Sequence, residues 1–300
     1  MYHTRLLGRE GLFAVKVIDF YATGHVHIHK FHNRVYTEID LLQIGVTNPR
    51  VCTIVGAVFA SIHKVYIVMK LYQYSLASYV RQVNTNITLS ERENLALQCV
   101  DILQMLHKFL KVIHGDIKMD NLLVHTESSV TTLALADFGN SISTHHGSYL
   151  GYNPDRSVRV DEKGHNIVWN RKSYHCNSKA GTSNRDLSVD LFAMMFVIME
   201  LVIGREGSYD LARKRKTVSV STGMMMHGDH TREFLALCKT VIQSDFTPPS
   251  TGDAYLQFLE HMREVIRATF QSRPQPLRKM PLYVPLPVTV SHLVSSVCVF

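Results

Sequence analysis

The sequence predicts an α+β fold in two parts, a small β-rich part up to about residue 71 and a larger, mostly helical part beyond it. β-Branched and aromatic runs recur within residues 12–70, as is typical of strands. A capping box at Ser90–Glu93, with Ser90 as the N-cap, opens a long helix with an apolar stripe. The apolar run from Leu191 to Gly204 is too short to span a bilayer and predicts a buried core helix.

Composition limits the classes to which the protein can belong. With 300 residues, 46% of them hydrophobic, the chain can bury a large core as one or two domains. Its five cysteines are widely spread without a CxxC pair, which is consistent with a reducing compartment. The net charge of +7 suits an acidic partner, but no motif that reads RNA or DNA accompanies it. No apolar signal region precedes the first strand, so we expect an intracellular protein of the cytoplasm or nucleus, bound neither to membranes nor to a specific nucleic acid.

One segment, from Val112 to Val124, concentrates the residues that could do chemistry. Asp116 stands two residues before Lys118 and five before Asn121, and apolar residues flank the set. Asp137 follows Asn121 by sixteen residues, directly after an apolar run. Two carboxylates and a carboxamide suit Mg²⁺ and a nucleotide phosphate, because Mg²⁺ prefers oxygen ligands and usually binds through one or two carboxylates plus phosphates.

Lys16 lies in the middle of a predicted strand over residues 12–18, among apolar neighbours. A lysine there is costly unless it has an anionic partner. We expect that partner to be Glu38, which lies in a predicted helix over residues 34–42. The alternative is a lysine that extends to solvent and a solvated glutamate.

Several short motifs in one order resemble eukaryotic-type protein kinases. The catalytic loop and the metal-binding triplet are matched by His114-x-Asp116-x-Lys118-x-x-Asn121 and Asp137-Phe138-Gly139. The strand with the phosphate-pairing lysine is matched by Phe13-Ala14-Val15-Lys16, and the last strand of the small lobe with the hinge by residues 65–72. The resemblance implies a two-lobed kinase-like fold with a small lobe at 1–71, a large lobe at 72–280 and a tail at 281–300.

The resemblance also implies a function, that of a monomeric serine/threonine protein kinase using Mg-ATP on protein substrates. Asp116 would orient the substrate hydroxyl and accept its proton, and Lys118 would neutralise the γ-phosphate; lysine at that position is typical of the Ser/Thr-specific branch. Asn121 and Asp137 would hold Mg²⁺. The ATP-binding positions would be Lys16, Glu38, Ala14, Met69, Lys70, Tyr72 and Leu123. For Met69, an ordinary core methionine is the alternative to a wall of the adenine pocket.

The sequence departs from the family pattern at several places. Gly115 replaces the arginine that usually receives the phosphate of a phosphorylated activation loop, so we expect activity that does not depend on that phosphorylation. No Gly-rich phosphate cover is recognisable before Lys16, because the glycines at 8 and 11 are needed for the adjoining turn. An insertion is predicted at about 158–186. Such departures are similar to those of kinases encoded by large DNA viruses, herpesvirus-type ones included.

Further residues have expected structural roles. Asp155, in Asn-Pro-Asp, would close the activation segment and pair with Arg273, while Asp190 would hold the backbone of the catalytic loop. Residues 165, 175 and 176 (two histidines and a cysteine) are expected to be unliganded loop residues, since a fourth zinc ligand is missing. Two other functions compete with a protein kinase: a pseudokinase acting as an interaction scaffold, and a small-molecule phosphotransferase.

Overall fold

The computed structural model describes residues 2–4, 12–22, 28–83, 87–128, 130–143, 187–212, 229–242, 246, 248–249 and 252–271. Several features expected from the sequence lie outside these residues. They are the glycine turn at 8–11, Asp155 and Arg273, the insertion at about 158–186 with the histidines and cysteine in it, and the tail at 281–300.

In the described residues the strands are β1 (Tyr2–Thr4), β2 (Phe13–Asp19), β3 (Ile54–Ser61), β4 (Lys64–Lys70), β5 (Tyr74–Ser75), β6 (Val112–Ile113), β7 (Leu122–Glu127), β8 (Val130–Leu135) and β9 (Ile142–Ser143). The α-helices are α1 (Ile28–Gln43), α2 (Leu76–Val83), α3 (Leu89–Gln104), α4 (Ser188–Val202), α5 (Gly204–Ala212), α6 (Asp229–Val241) and α7 (Gly252–Gln271). The strands predominate before residue 71 and the helices after it, so the predicted α+β class is confirmed.

The small lobe is an antiparallel sheet in the order β1-β2-β4-β3 with α1 packed beside it. Strand β2 has a hydrogen-bonded neighbour on each edge, and Lys16 pairs with Ile67 in its middle. Helix α1 buries Phe31, Val35 and Leu42 almost completely. These side chains recur at helical spacing and form the apolar face that orients Glu38.

The β-branched residues of the run 51–58 predict a strand from its first residue, but the strand begins only at Ile54. Val51 instead forms a bridge with Leu135, and the amide of Cys52 donates to the carbonyl of Leu135 at 2.8 Å. The apolar run is therefore divided between two sheets. Its first residues attach the small lobe to β8 and only the remainder joins β4.

The large lobe is built on α3, which contacts both α4 and α7. The predicted stripe on α3 is buried, with Leu95, Cys99 and Ile102 fully inaccessible. Helix α4 is buried around most of its circumference, which confirms the core helix expected from the apolar run. No helix among the described residues is long and apolar enough to cross a membrane.

The N-cap of α3 is Thr88 rather than Ser90, and the expectation for Ser90 was wrong. Thr88 is extended and its hydroxyl accepts a hydrogen bond from the amide of Glu91 at 3.1 Å. The Glu91 side chain turns away from the helix end and accepts hydrogen bonds from Tyr79 and Thr131. The helix therefore begins one residue after Thr88, and Ser90 lies in its first turn.

The segment after α3 leads into the loop that carries Asp116, within residues 112–124. The helix widens into a π-helical turn over Met105–Leu110, and Lys111 ends it in a left-handed conformation, at φ 56°. Strand β6 follows and pairs with β9, which lies beyond Asp137. The two halves of the candidate site are thereby held side by side.

Candidate active site

Lys16 reaches two carboxylates at the junction of the lobes. Its Nζ lies 2.5 Å from Oε1 of Glu38 and 2.7 Å from Oδ1 of Asp137. Glu38 comes from the buried face of α1, with only 3% of its side chain exposed, whereas 43% of the Asp137 side chain is exposed. The expected Lys16–Glu38 pair is present, and a solvated glutamate is excluded.

The three charges shift one another's pKa values. Burial raises the pKa of Glu38, and the Lys16 cation opposes that effect without reversing it. Burial alone would also raise the pKa of Asp137, but the charge and hydrogen bond of Lys16 outweigh this effect, and the pKa of Asp137 is lowered. For Lys16, burial is outweighed by Glu38 and Asp137, so its pKa is raised. The lysine is therefore held as a cation, the form that binds phosphate.

A second cluster surrounds Asp116. Lys118 Nζ donates to Oδ2 of Asp116 at 2.6 Å. The side-chain nitrogen of Asn121, Nδ2, donates to the same oxygen at 3.3 Å and to the backbone carbonyl of Asp116 at 2.8 Å. Both side-chain donors thus engage Oδ2. With its nitrogen committed to Asp116, Asn121 has its own Oδ1 available as an oxygen ligand.

The Asp137-Phe138-Gly139 triplet is placed by one buried aromatic ring. Phe138 is fully buried and packs edge-on against His114, with ring centroids 5.0 Å apart. Asp137 has φ 68°, a left-handed conformation that aspartate adopts more readily than most residues other than glycine. Gly139 packs closely against Glu38: a Cβ added at Gly139 would stand only 3.3 Å from Oε2 of Glu38. With this backbone conformation, the Asp137 carboxylate lies within 2.7 Å of Lys16, and Gly139 leaves room for Glu38 beside it.

His114 joins the two clusters. Its Nδ1 accepts a hydrogen bond from the amide of Asp116 at 3.3 Å, so its Nε2 is the donor to the carbonyl of Ala136 at 3.1 Å. Ala136 immediately precedes Asp137. The imidazole therefore fixes the spacing between the loop that carries Asp116 and the segment that carries Asp137.

Asp190 holds the backbone of the loop that carries Asp116, as expected from the sequence. Its Oδ2 accepts from the amide of His114 at 2.7 Å, and its Oδ1 accepts from the amide of Gly115 at 2.9 Å. Gly115 has φ 75°, which glycine adopts without strain. Two residues near Asp190 were not expected from the sequence: His107, which bonds Asp190, and Tyr255, which bonds His107. A histidine among the apolar residues that continue the stripe of α3 was the available signal for His107, while Tyr255 lies 148 residues away from it and gave none.

The residues expected to bind the nucleotide fall into two groups. Ala14 and Met69 pair across β2 and β4, and both are nearly buried. Met69 also contacts Cys52, with its sulfur 3.9 Å from Sγ, so it fills part of the core.

The second group lies where β4 leaves the sheet, and on β7. The amide of Lys70 donates to the carbonyl of Thr53 at 2.9 Å, and the Tyr72 hydroxyl accepts from the amide of Thr53 at 3.4 Å. Leu123 pairs with Ser75 across β7 and β5. Ser75 precedes α2, so Leu123 lies beside the chain that enters the large lobe.

The donor set fits a magnesium–phosphate site better than a site made by protein ligands alone. Among the described residues, no three His, Cys, Asp or Glu side chains form a cluster that could hold a metal. One carboxylate and one amide oxygen, from Asp137 and Asn121, suit a hard cation that completes its coordination with phosphate oxygens and water. Lys16 adds a cation for the phosphates.

Comparison with known proteins agrees with this geometry. The model of the family described as "Protein kinase domain" matches residues 2–274. The "Probable cyclin-dependent kinase 10" of Dictyostelium discoideum is 31% identical over 169 residues, which cover 56% of this chain. The aligned part covers 41% of that protein's length. With the family model matching most of its length, the chain belongs to the protein kinase domain family.

Proposed function

We propose that the chain is a serine/threonine protein kinase that transfers the γ-phosphate of Mg-ATP to hydroxyl groups of protein substrates. The main support is a pair of neighbouring clusters. In one, Lys16 is bonded to both Glu38 and Asp137, and in the other, Asp116 is bonded to Lys118 and Asn121. Phosphoryl transfer needs positioning and charge stabilisation rather than covalent catalysis. Both clusters supply these.

Asp116 is the group that we assign to the substrate hydroxyl. Its Oδ2 is occupied by Lys118 and Asn121, so we assign Oδ1 to the incoming hydroxyl. The hydroxyl oxygen forms a bond to the γ-phosphorus as the bond to the β,γ-bridging oxygen breaks. The hydroxyl proton passes to Asp116, and ADP leaves.

Lysine residues balance the negative charge on each side of the reacting bond. Lys118, beside Asp116, is placed to neutralise the phosphoryl group as it transfers, and Lys16 is placed to hold the α- and β-phosphates. Asn121 and Asp137 would hold Mg²⁺, which when bound neutralises and orients the phosphates. Ala14, Met69 and Leu123, with the hinge residues Lys70 and Tyr72, would bind the rest of ATP.

Serine/threonine specificity and the mode of regulation are finer parts of the same proposal. Lys118, two residues after Asp116, is typical of the Ser/Thr-specific branch. Gly115 has no side chain with which to bind a phosphorylated activation loop. Protein treated with a phosphatase should therefore keep its turnover number. A loss of more than about tenfold, reversed by rephosphorylation, would contradict this part of the proposal.

A radiolabel assay with Asp116→Asn tests the proposed reaction. The parent should label serine and threonine in protein substrates, with no labelling of sugars or aminoglycosides. The variant should lose at least about a thousandfold in turnover, because the proton acceptor is gone and positioning is impaired. Stabilisation by Mg-ATP in a thermal melt should be preserved, since Asp116 has no assigned role in binding the nucleotide.

Other results of this assay select the competing functions. A parent protein that is neither stabilised by Mg-ATP nor active would favour a scaffold. Labelling of sugars alone would favour a small-molecule phosphotransferase. A monomeric state, the lobe boundaries at residues 71 and 280, and a source in a large DNA virus stay predictions from the sequence. Sedimentation analysis tests the first of them.

A further inference from the structure

Three buried polar side chains connect α7 to the loop that carries Asp116. The hydroxyl of Tyr255 on α7 lies 2.5 Å from Nδ1 of His107, and Nε2 of His107 lies 3.1 Å from Oδ2 of Asp190. The side chains of His107 and Asp190 are fully inaccessible, and Tyr255 is 4% exposed. Buried polar groups of this kind need partners, because an unsatisfied one is costly.

The chemistry of the three groups fixes the direction of each hydrogen bond. Burial would raise the pKa of Asp190, but its hydrogen bond to His107 and the nearby histidines outweigh burial and lower that pKa. Asp190 is then a carboxylate, which only accepts, so Nε2 of His107 is the donor. Burial, followed by the charge of Asp190, raises the pKa of Tyr255 well above its ordinary range. The phenol keeps its proton and donates it to Nδ1 of His107.

The position of His107 in the helix makes this contact specific. It lies in the π-helical turn Met105–Leu110 that follows α3. Such turns are frequent at functional sites, where they redirect a side chain. The turn places one ring nitrogen against α4, through Asp190, and the other against α7, through Tyr255.

The orientation of Asp190 bears directly on the catalytic loop. Its Oδ2 is shared by His107 and the amide of His114, and its Oδ1 accepts from the amide of Gly115. These two amides immediately precede Asp116. A rotation of the carboxylate would therefore shift the backbone from which Asp116 projects, and small misplacements of a catalytic group are expensive.

We propose that Tyr255 is a positioning residue for phosphoryl transfer, since its hydroxyl fixes the tautomer of His107 and His107 in turn holds Asp190 against the catalytic loop. The role in turnover rests on the proposed function of Asp116. The role in loop geometry does not, and it can be measured separately. Tyr255 touches neither Asp116 nor any expected nucleotide ligand among the contacts described, and its hydrogen bond is to His107.

Tyr255→Phe in the full-length chain tests the kinetic part of the proposal. It keeps the buried ring and removes only the hydroxyl. We expect the turnover number to fall about three- to tenfold, with KM for ATP within about twofold of the parent, because the nucleotide contacts are untouched.

Tyr79→Phe is the matched control. It removes a hydroxyl that also donates to a side chain, that of Glu91, but at the start of α3, away from the catalytic loop. It should lower the melting temperature to a similar extent and leave turnover near the parent value. Equal losses of turnover in both variants, or none in Tyr255→Phe, would overturn the kinetic role.

Nuclear magnetic resonance tests the geometric part even if the parent shows no transferase activity. The ring nitrogens of His107, assigned with His107→Gln, should show an Nε2–H tautomer in the parent and a change at Nδ1 in Tyr255→Phe. The amides of His114 and Gly115 should exchange faster in that variant than in Tyr79→Phe. Unchanged ring nitrogens and unchanged amide exchange would refute the link from Tyr255 to the loop. A parent that fails to transfer phosphate while these signatures appear would refute the proposed function alone.

Discussion

Glu38 and Asp137 share one cation, yet they differ in what they can do. Glu38 lies on the buried face of α1, whereas the Asp137 side chain is 43% exposed. The buried carboxylate is therefore suited to holding Lys16 in place. The exposed one is suited to meeting a ligand that enters from solvent. The same contrast in environment gives the two acids opposite pKa shifts.

Gly139→Ala should disturb this arrangement with little loss of stability. The added Cβ would lie 3.3 Å from Oε2 of Glu38, so that carboxylate must move by a few tenths of an ångström, while the 3.6 Å to Oδ1 of Asp137 is an ordinary contact. We expect kcat/KM for ATP to fall by about tenfold, equivalent to about 1.4 kcal/mol of transition-state stabilisation. Steady-state kinetics with varied ATP measures it.

Gly56→Ala provides the control for that variant. A Cβ at Gly56, on β3, meets nothing within 4 Å, and its kinetics should match those of the parent. If the two alanine variants showed the same kcat/KM, the contact between Gly139 and Glu38 would have no part in catalysis.

Asp190 gives a prediction for the dependence of stability on pH. Its pKa is lower in the folded protein than the ordinary value of 3.8, so its contribution to stability is complete above that value and is lost as the pH falls through the folded pKa. Asp190→Asn should lower the free energy of unfolding at pH 7 by about 2–3 kcal/mol. The difference from the parent should shrink below pH 3.8. Urea denaturation across this range measures it, and a difference that stays constant with pH would argue against an ionised Asp190.

At the scale of elements, α3 connects the two lobes through one carboxylate. Oδ2 of Asp101 lies 3.1 Å from Arg50, which precedes β3, and Oδ1 lies 3.1 Å from Arg263 on α7. Arg50 also bonds Gln98, and the amide of Leu135 donates to the carbonyl of Arg50 at 2.8 Å. The chain between α1 and β3 is thus fixed to the large lobe at several points.

A double-mutant cycle on Arg50→Ala and Asp101→Ala measures the strength of this connection. Because Asp101 is 40% exposed, we expect a coupling of only about 0.5–1 kcal/mol in the free energy of unfolding at low salt. It should decline in about 1 M salt, where surface charges are screened. A coupling near zero at low salt would mean that the pair does not join the lobes energetically.

Element boundaries show where sequence patterns are ambiguous. Thr88 and Ser90 are each followed by glutamate three residues later, so both fit a capping box, and the sequence alone does not choose between them. The structure selects Thr88. In the same way, the apolar residues from Val51 onward fit one long strand, but the pairing of Val51 with Leu135 is a long-range contact that no local pattern contains.

At the scale of the whole molecule, the sequence predicted the charged side chains of the site whose burial is energetically costly without a partner. A lysine inside an apolar strand requires an anion, and the kinase resemblance together with a predicted helix over residues 34–42 pointed to Glu38. Acids flanked by buried runs must have fixed positions, which identified Asp116 and Asp137. Their bonding geometry needed coordinates, because two lobes bring together residues separated by up to 121 positions, as in the contact between Lys16 and Asp137.

Residues that act through others were harder to foresee. A histidine and a tyrosine each fit an apolar helix face as well as a polar network, so the sequence did not single out His107 or Tyr255. Only the packing of α3 on α4 and α7 brings them to Asp190. The sequence therefore predicts groups that could contact a substrate more readily than groups that position them.

The central claim is that Lys16, Asn121 and Asp137 converge with Asp116 on one magnesium-bound triphosphate. A crystal structure of the chain with Mg²⁺ and a non-hydrolysable ATP analogue tests it most directly. We expect Lys16 Nζ to contact the α- and β-phosphates, the metal to lie between oxygens of Asn121 and Asp137, and the γ-phosphate to face Asp116. A nucleotide bound elsewhere, or phosphates that contact neither Lys16 nor the metal, would contradict the claim.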